Sequence, residues 1–137
     1  MVNDAIHAAV KRALINDGWS ILSEHFRMQL GRYKLFADLA AERTLAAERN
    51  GRKILIEIKS FSGRSYIKEL QQALGQYRMY LDAVELTKLG YDVYLAVGRE
   101  VYDEFLSHPE IEHLLQRNQV RLVIIHLEQA KVTKWIN

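Results

Sequence analysis

A carboxylate and an ammonium group two residues apart, Glu57 and Lys59, stand in the run Lys53-Ile54-Leu55-Ile56-Glu57-Ile58-Lys59. Read as a strand, this run places Ile54, Ile56 and Ile58 on one face and Lys53, Leu55, Glu57 and Lys59 on the other. The isoleucines commit their face to a core, so the charged pair projects from a strand that reads as central. Burying such charges costs several kcal/mol unless they are paired or hold an ion. A second carboxylate, Asp38, closes the short apolar segment Leu35 to Leu39, and pairing of the two strands near a hairpin would bring it to the Glu57 side. Two carboxylates and a lysine at one end of a sheet suit a hard divalent cation and a water poised against a phosphodiester. The same residue types also have ordinary uses. A Glu-x-Lys pair is commonly a solvated surface pair worth under ~1 kcal/mol, and an aspartate at a strand end is common turn chemistry.

The elements that must position these residues follow from periodicity. From Asn3 to Asp17, Ile6, Ala9, Val10, Ala13 and Leu14 repeat at helical spacing, with Asp17-Gly18 as the stop. Trp19 to Leu30 reads as a strand ending at Gly31, and Leu35 to Leu39 as a second extended piece. Ala40 to Arg49 carries helix propensity but runs into Asn50-Gly51, a strong hairpin signal, so Leu45 to Arg49 is expected as a strand. Lys53 to Phe61 is the most legible strand. Tyr66 to Lys88 carries Ile67, Leu70, Leu74, Tyr77, Leu81 and Val84 at intervals of three and four, a long helix with one buried stripe that ends at Gly90. Then come a strand over Tyr91 to Val97, short helices over Glu100 to Leu106 and Ile111 to Arg117, a strand over Val120 to Leu127 and a last extended piece, Lys131 to Ile136. A hairpin followed by alternating helix and strand predicts an α/β fold with a mixed central sheet flanked by helices.

At 137 residues, 49% hydrophobic and 26% charged, the chain suits one domain over residues 1–137 that needs no disulfide or structural metal. The absence of cysteine excludes thiolate metal sites, redox motifs and cysteine nucleophiles, and fits a cytoplasmic setting. Met1 to Leu14 is broken by Asp4, His7, Lys11 and Arg12, unlike a secretory signal, and no apolar run is long enough for a membrane helix. A net charge of +2 is too small to name nucleic acid as a partner; only a local patch could do so. Arg43, Arg49, Arg52, Lys53, Arg64, Lys68 and Arg78 are candidates for a groove that follows a phosphate backbone, with a scattered solvated surface as the equal alternative. His25, His108, His113 and His126 show no metal-ligand spacing. The apolar Val120 to Leu127 strand is open to use as core or as a homodimer interface.

Asp38, Glu57, Ile58 and Lys59 match the motif of the PD-(D/E)xK nuclease superfamily. Over nearly its whole length the chain resembles the XisH-type fdxN element excision controlling factors. The resemblance runs through Asp17-Gly18-Trp19, Ala37-Asp38-Leu39, Leu45-Ala46-Ala47-Glu48-Arg49, Gly51-Arg52-Lys53 and Ile56-Glu57-Ile58-Lys59-Ser60-Phe61. It continues in Ala73-Leu74-Gly75-Gln76-Tyr77, Tyr94-Leu95-Ala96-Val97 and Lys134-Trp135-Ile136. It implies a restriction endonuclease-like core in αβββαβ order, with Asp38 and Glu57 as metal-binding carboxylates and the Ile58 carbonyl as a further ligand. Lys59 would orient the attacking water or offset charge, Mg2+ or Mn2+ would be the ion, and the activity would be endodeoxyribonuclease. Gln76 and Tyr80, one helical turn apart and off the buried stripe, resemble a Q-x3-Y element that positions substrate. DNA, a companion excision factor and a recombinase are the implied partners, and superfamily nucleases often form homodimers. Two departures stand out: Ala37 replaces the proline of the motif name, and the first helix offers His7 where relatives often place an acid, with Asp4 and Glu24 nearby. A non-catalytic adaptor that keeps the fold to bind DNA or dock a partner is the alternative reading.

Overall fold

The structure, a computed structural model, describes residues 2–43 and 51–137, with side chains from residue 5 onward. Helix α1 (Val2–Asn16) is followed by strands β1 (Ser20–Leu30), β2 (Tyr33–Arg43) and β3 (Arg52–Ile58), then by α2 (Tyr66–Thr87) and β4 (Asp92–Gly98). A short α3 (Arg99–Val101) runs into a π-turn over Tyr102–Leu106, and α4 (Pro109–Arg117), β5 (Leu122–His126) and β6 (Lys131–Ile136) complete the chain. One six-stranded sheet holds the strands in the order β1-β2-β3-β4-β5-β6. Pairing is antiparallel from β1 to β3, parallel through β3, β4 and β5, and antiparallel between β5 and β6. The expected mixed sheet with helices on both faces is what forms.

The alternation read in β3 sorts its residues into two cores. Ile54 and Ile56 join Leu39, Ala41, Tyr94, Ala96, Val123 and Ile125 under Val10, Ala13 and Leu14 of α1. Leu55 joins Ala40, Val93, Leu95, Val97, Leu122 and Ile124 under α2. β4 and β5 are apolar on both faces because a helix layer covers each, as parallel strands require. Val120 to Leu127 is therefore core: β5 lies between β4 and β6, with four of its five residues buried.

α1 stops where Asp17-Gly18 predicts, with Gly18 at φ 95 and Trp19 N–H bonded back to the Leu14 carbonyl. α2 begins at Ser65, whose hydroxyl accepts from Lys68 N–H, and ends with Lys88 in a left-handed conformation. Its buried stripe differs from the expected one. Leu70, Ala73, Tyr77, Tyr80, Ala83 and Val84 face the sheet, whereas Ile67 is 49% exposed. Small residues at Ala73 and Ala83 let the helix sit close to the sheet, and the row containing Tyr80 outcompetes the row containing Leu74 and Leu81.

β2 is the other correction. The strand runs through Ala40 to Arg43 and does not end near Leu39, so Asp38 lies inside it. Ala40 and Ala41 are fully buried between the two helix layers, and this tertiary setting overrides their helix propensity. β3 closes at Ile58, short of the expected Phe61. The strand expected over Leu45 to Arg49 lies outside the described residues.

Candidate active site

β2 pairs with β3 only from Leu39 to Arg43, while its first half pairs with β1 alone. The two strands thus part just before Leu39, and Asp38 stands at the fork. Alternation breaks at the same place. Ala37 packs in the α2-side core but Leu39, two residues on, packs in the α1-side core. Across the pair, Glu24 reaches His7 and Lys11 of α1 whereas Phe26 packs toward α2. Between them His25 adopts φ 59, a left-handed conformation in which histidine is enriched among non-glycine residues. This kink turns Asp38 off both faces and toward β3. There its Oδ2 accepts the Ile58 N–H at 2.7 Å.

Glu57 comes from β3 beside it. One oxygen, Oε1, is buried with no hydrogen-bond partner. Burial, and then the negative charge of Asp38, push the Glu57 carboxyl up to about 8. Lys59, just past the end of β3, is held by its N–H on the Ala96 carbonyl at 3.0 Å. Asp38, Glu57, Ile58 and Lys59 line one open cleft of about 400 Å³ together with Ile6, His7, Ser60 and Gln76. The sheet supplies the charged groups, α1 one wall and α2 the other.

Gln76 and Tyr80 divide in a way their spacing does not suggest. Gln76 is exposed and lines the cleft. Tyr80 is 8% exposed, and its hydroxyl donates to the Phe36 carbonyl at 2.8 Å. Burial and the neighbouring Glu57 and Asp38 carboxylates push the Tyr80 hydroxyl up from its ordinary value, so it stays a proton donor. Tyr80 therefore pins α2 to the kinked strand behind the carboxylates.

Of the acids near the first helix, Glu24 is occupied. His7 Nε2 and Lys11 Nζ lie 2.9 and 3.1 Å from its two oxygens, and these bonds hold its carboxyl below the usual range. The side chain of Asp4 lies outside the described residues. Of the basic residues that are candidates for a phosphate groove, Arg49 lies outside the described residues, and three others are engaged elsewhere. Arg43 turns to Asp17 and the Trp19 ring, Arg52 to Asp92 and Tyr94, and Arg78 to Asp82. Arg43 and Arg52 pair with each other's strands at the far end of the β2–β3 ladder from Asp38.

A family model described as XisH protein matches residues 1–133. The chain belongs to the XisH family. Its fold matches a crystal structure of an XisH family protein from Nostoc punctiforme with a TM-score of 0.87 and 36% identity, covering 98% of this chain and 100% of that one. It matches a crystal structure of an fdxN element excision controlling factor protein from Anabaena variabilis with a TM-score of 0.86 and 34% identity, covering 98% and 99%. No curated protein matches.

In this XisH-family chain the donor set fits a hard cation. Two carboxylates and the Ile58 carbonyl offer oxygen donors, and the orphaned Glu57 Oε1 is a buried acceptor that a cation would satisfy. Among the described residues no group of three or more histidine, aspartate and glutamate side chains is arranged to hold a metal. A cation here would keep several waters, as Mg2+ ordinarily does. Ser60, which with Ser62 and Ser65 follows the motif strand as a candidate phosphate contact, does line the cleft, whereas Ile6 was not legible as a cleft residue because α1 and the end of β3 meet only in the fold. No helix among the described residues is long and apolar enough to cross a membrane.

Proposed function

We propose that this chain is a DNA element excision controlling factor whose Asp38–Glu57–Lys59 cleft cleaves phosphodiesters with a divalent cation. The carrying observation is the half-buried Glu57 carboxyl beside Asp38, with one oxygen inaccessible and unpartnered. A sheet that only needed filling at this position would favour an apolar residue. Bound between Asp38, Glu57 and the Ile58 carbonyl, Mg2+ or Mn2+ would supply Lewis-acid chemistry at the phosphate. The chain's own groups do the rest. Asp38, locked by Ile58 N–H, holds its second oxygen toward the cleft. Lys59 sets a positive charge beside the phosphate and orients the attacking water, and Gln76 positions the substrate from the opposite wall. The family match and the Anabaena variabilis structure support the excision role, with DNA, a companion excision factor and a recombinase as partners.

A second reading is favoured by one observation: Asp38 already spends an oxygen on Ile58 N–H, and His7 stands on α1 where a third acid would complete a ligand set. On this reading the chain is a non-catalytic adaptor. A nuclease assay on supercoiled, single-stranded and branched DNA with Mg2+ or Mn2+ separates the two. Cleavage by the wild type that is lost in both Glu57→Ala and Lys59→Ala is the expected result. No cleavage of any substrate would favour the adaptor.

A further inference from the structure

The half of the β1–β2 hairpin beyond the fork forms an arm. From His25 to Ala37 it contains Arg27, Arg32 and Lys34 and no acidic residue. One of its faces is committed: Phe26, Met28, Leu30 and Leu35 pack against the α2-side core. The opposite face carries the paired residues Arg27 and Phe36, then Gln29 and Lys34. Arg27, Gln29 and Lys34 are exposed, and Phe36 is 39% exposed. Among the described residues Arg27, Arg32 and Lys34 have no ion-pair partner. The basic charge is therefore uncompensated on a surface that the fold does not use.

An aromatic stack stands in the middle of this charge. The His25 and Phe36 rings lie 4.3 Å apart and 9° from parallel. The left-handed His25 backbone, the same kink that aims Asp38 at Glu57, brings its ring over Phe36. Phe36 precedes Asp38 by two residues, about 7 Å along a strand. Exposed flat rings flanked by basic side chains match unpaired bases and their phosphates, since every base offers a π-face and duplex stacking would hide it.

We infer that the hairpin arm binds single-stranded DNA, stacking an unpaired base on the His25–Phe36 pair while Arg27 and Lys34 hold the adjoining phosphates and lead the strand to Asp38. The inference rests on DNA being the substrate of the cleft, and it names the form of DNA.

Binding is measured by fluorescence anisotropy in EDTA, with a short labelled single strand and the corresponding duplex. The wild type binds the single strand more tightly than the duplex. Phe36→Leu, which keeps an apolar residue at a half-exposed site, weakens single-strand binding about tenfold, within the range for loss of one base–aromatic stack. His25→Asn, which tolerates the left-handed backbone, weakens it similarly. Arg27→Gln with Lys34→Gln flattens the slope of log affinity against log salt by about 1.4, two phosphates at ~0.7 each. Unchanged affinity in Phe36→Leu and His25→Asn at wild-type melting temperature overturns the inference. So does an unchanged salt slope, or polyglutamate competing as well as the single strand. Binding is read in EDTA and cleavage in a separate assay with Mg2+ or Mn2+, so the arm and the cleft are judged separately. Binding without cleavage leaves the arm standing and removes the nuclease; cleavage with unaltered arm variants does the reverse.

Discussion

Glu57 is half-buried beside a like charge, and its behaviour with pH follows from that. Its carboxyl titrates near 4.5 when unfolded and at about 8 in the fold, so between those values the folded state holds a proton that the unfolded chain has released. The stability this group contributes is complete below the unfolded value and is lost as pH rises through about 8. The melting temperature of the metal-free protein should therefore fall from pH about 5 to about 8 relative to Glu57→Gln, which lacks this titration, and level off above that. A melting curve series on both proteins checks it, and parallel curves would refute the shift. Proton and cation compete for the same oxygens, so Mg2+ should raise the melting temperature more at the upper end of that range. At a hundredfold excess over its dissociation constant the gain is about 2.7 kcal/mol. Glu57→Gln should lose that response; an equal response in the variant would place the cation elsewhere. The pairing of Glu57 with Lys59 was legible because a two-residue period fixes a shared face. The bond from Ile58 N–H to Asp38 was not, because it depends on a kink that no local pattern announces.

Elements were read well where both faces of a strand are committed, and less well where small residues carry the packing. β3 alternates isoleucine with charge, and its two faces emerged as expected. In α2 the residues Leu70, Tyr77 and Val84 belong to the expected and the observed stripe alike. The choice between adjoining rows turned on Ala73 and Ala83, whose contribution is closeness of approach and not apolar bulk, and on Tyr80, whose hydroxyl reaches the Phe36 carbonyl. β2 hid for a related reason, since Ala40 and Ala41 read locally as helix formers. The link between these two elements is testable. Tyr80→Phe removes the hydrogen bond to the Phe36 carbonyl and leaves that acceptor without its side-chain partner. The expected cost is about 1–3 kcal/mol in urea denaturation. Because the same carbonyl lies at the base of the kink, the variant should also lose DNA cleavage beyond what its stability loss explains. Full activity at reduced stability would confine Tyr80 to a packing role.

One sheet separates two hydrophobic cores, and the cleft borrows a wall from each: Ile6 and His7 from α1, Gln76 from α2. The geometry of the site is then a property of the whole molecule, for neither layer positions it alone. Leu14 is fully buried where α1 meets the sheet, so Leu14→Ala should cost about 2–5 kcal/mol. Two probes report the two layers during denaturation. Trp19 is 5% exposed in the α1-side core, its ring 5.6 Å from that of Trp135, and its fluorescence follows that layer. Far-ultraviolet circular dichroism is weighted toward α2, the longest helix. A cooperative domain shifts both transitions together in Leu14→Ala, since β2 to β5 carry both cores on one set of strands. Fluorescence that melts ahead of circular dichroism would instead show that the α1 layer opens by itself. The cleft would then lose the His7 wall before the fold is lost, and the melting shift produced by Mg2+ would track the fluorescence transition alone.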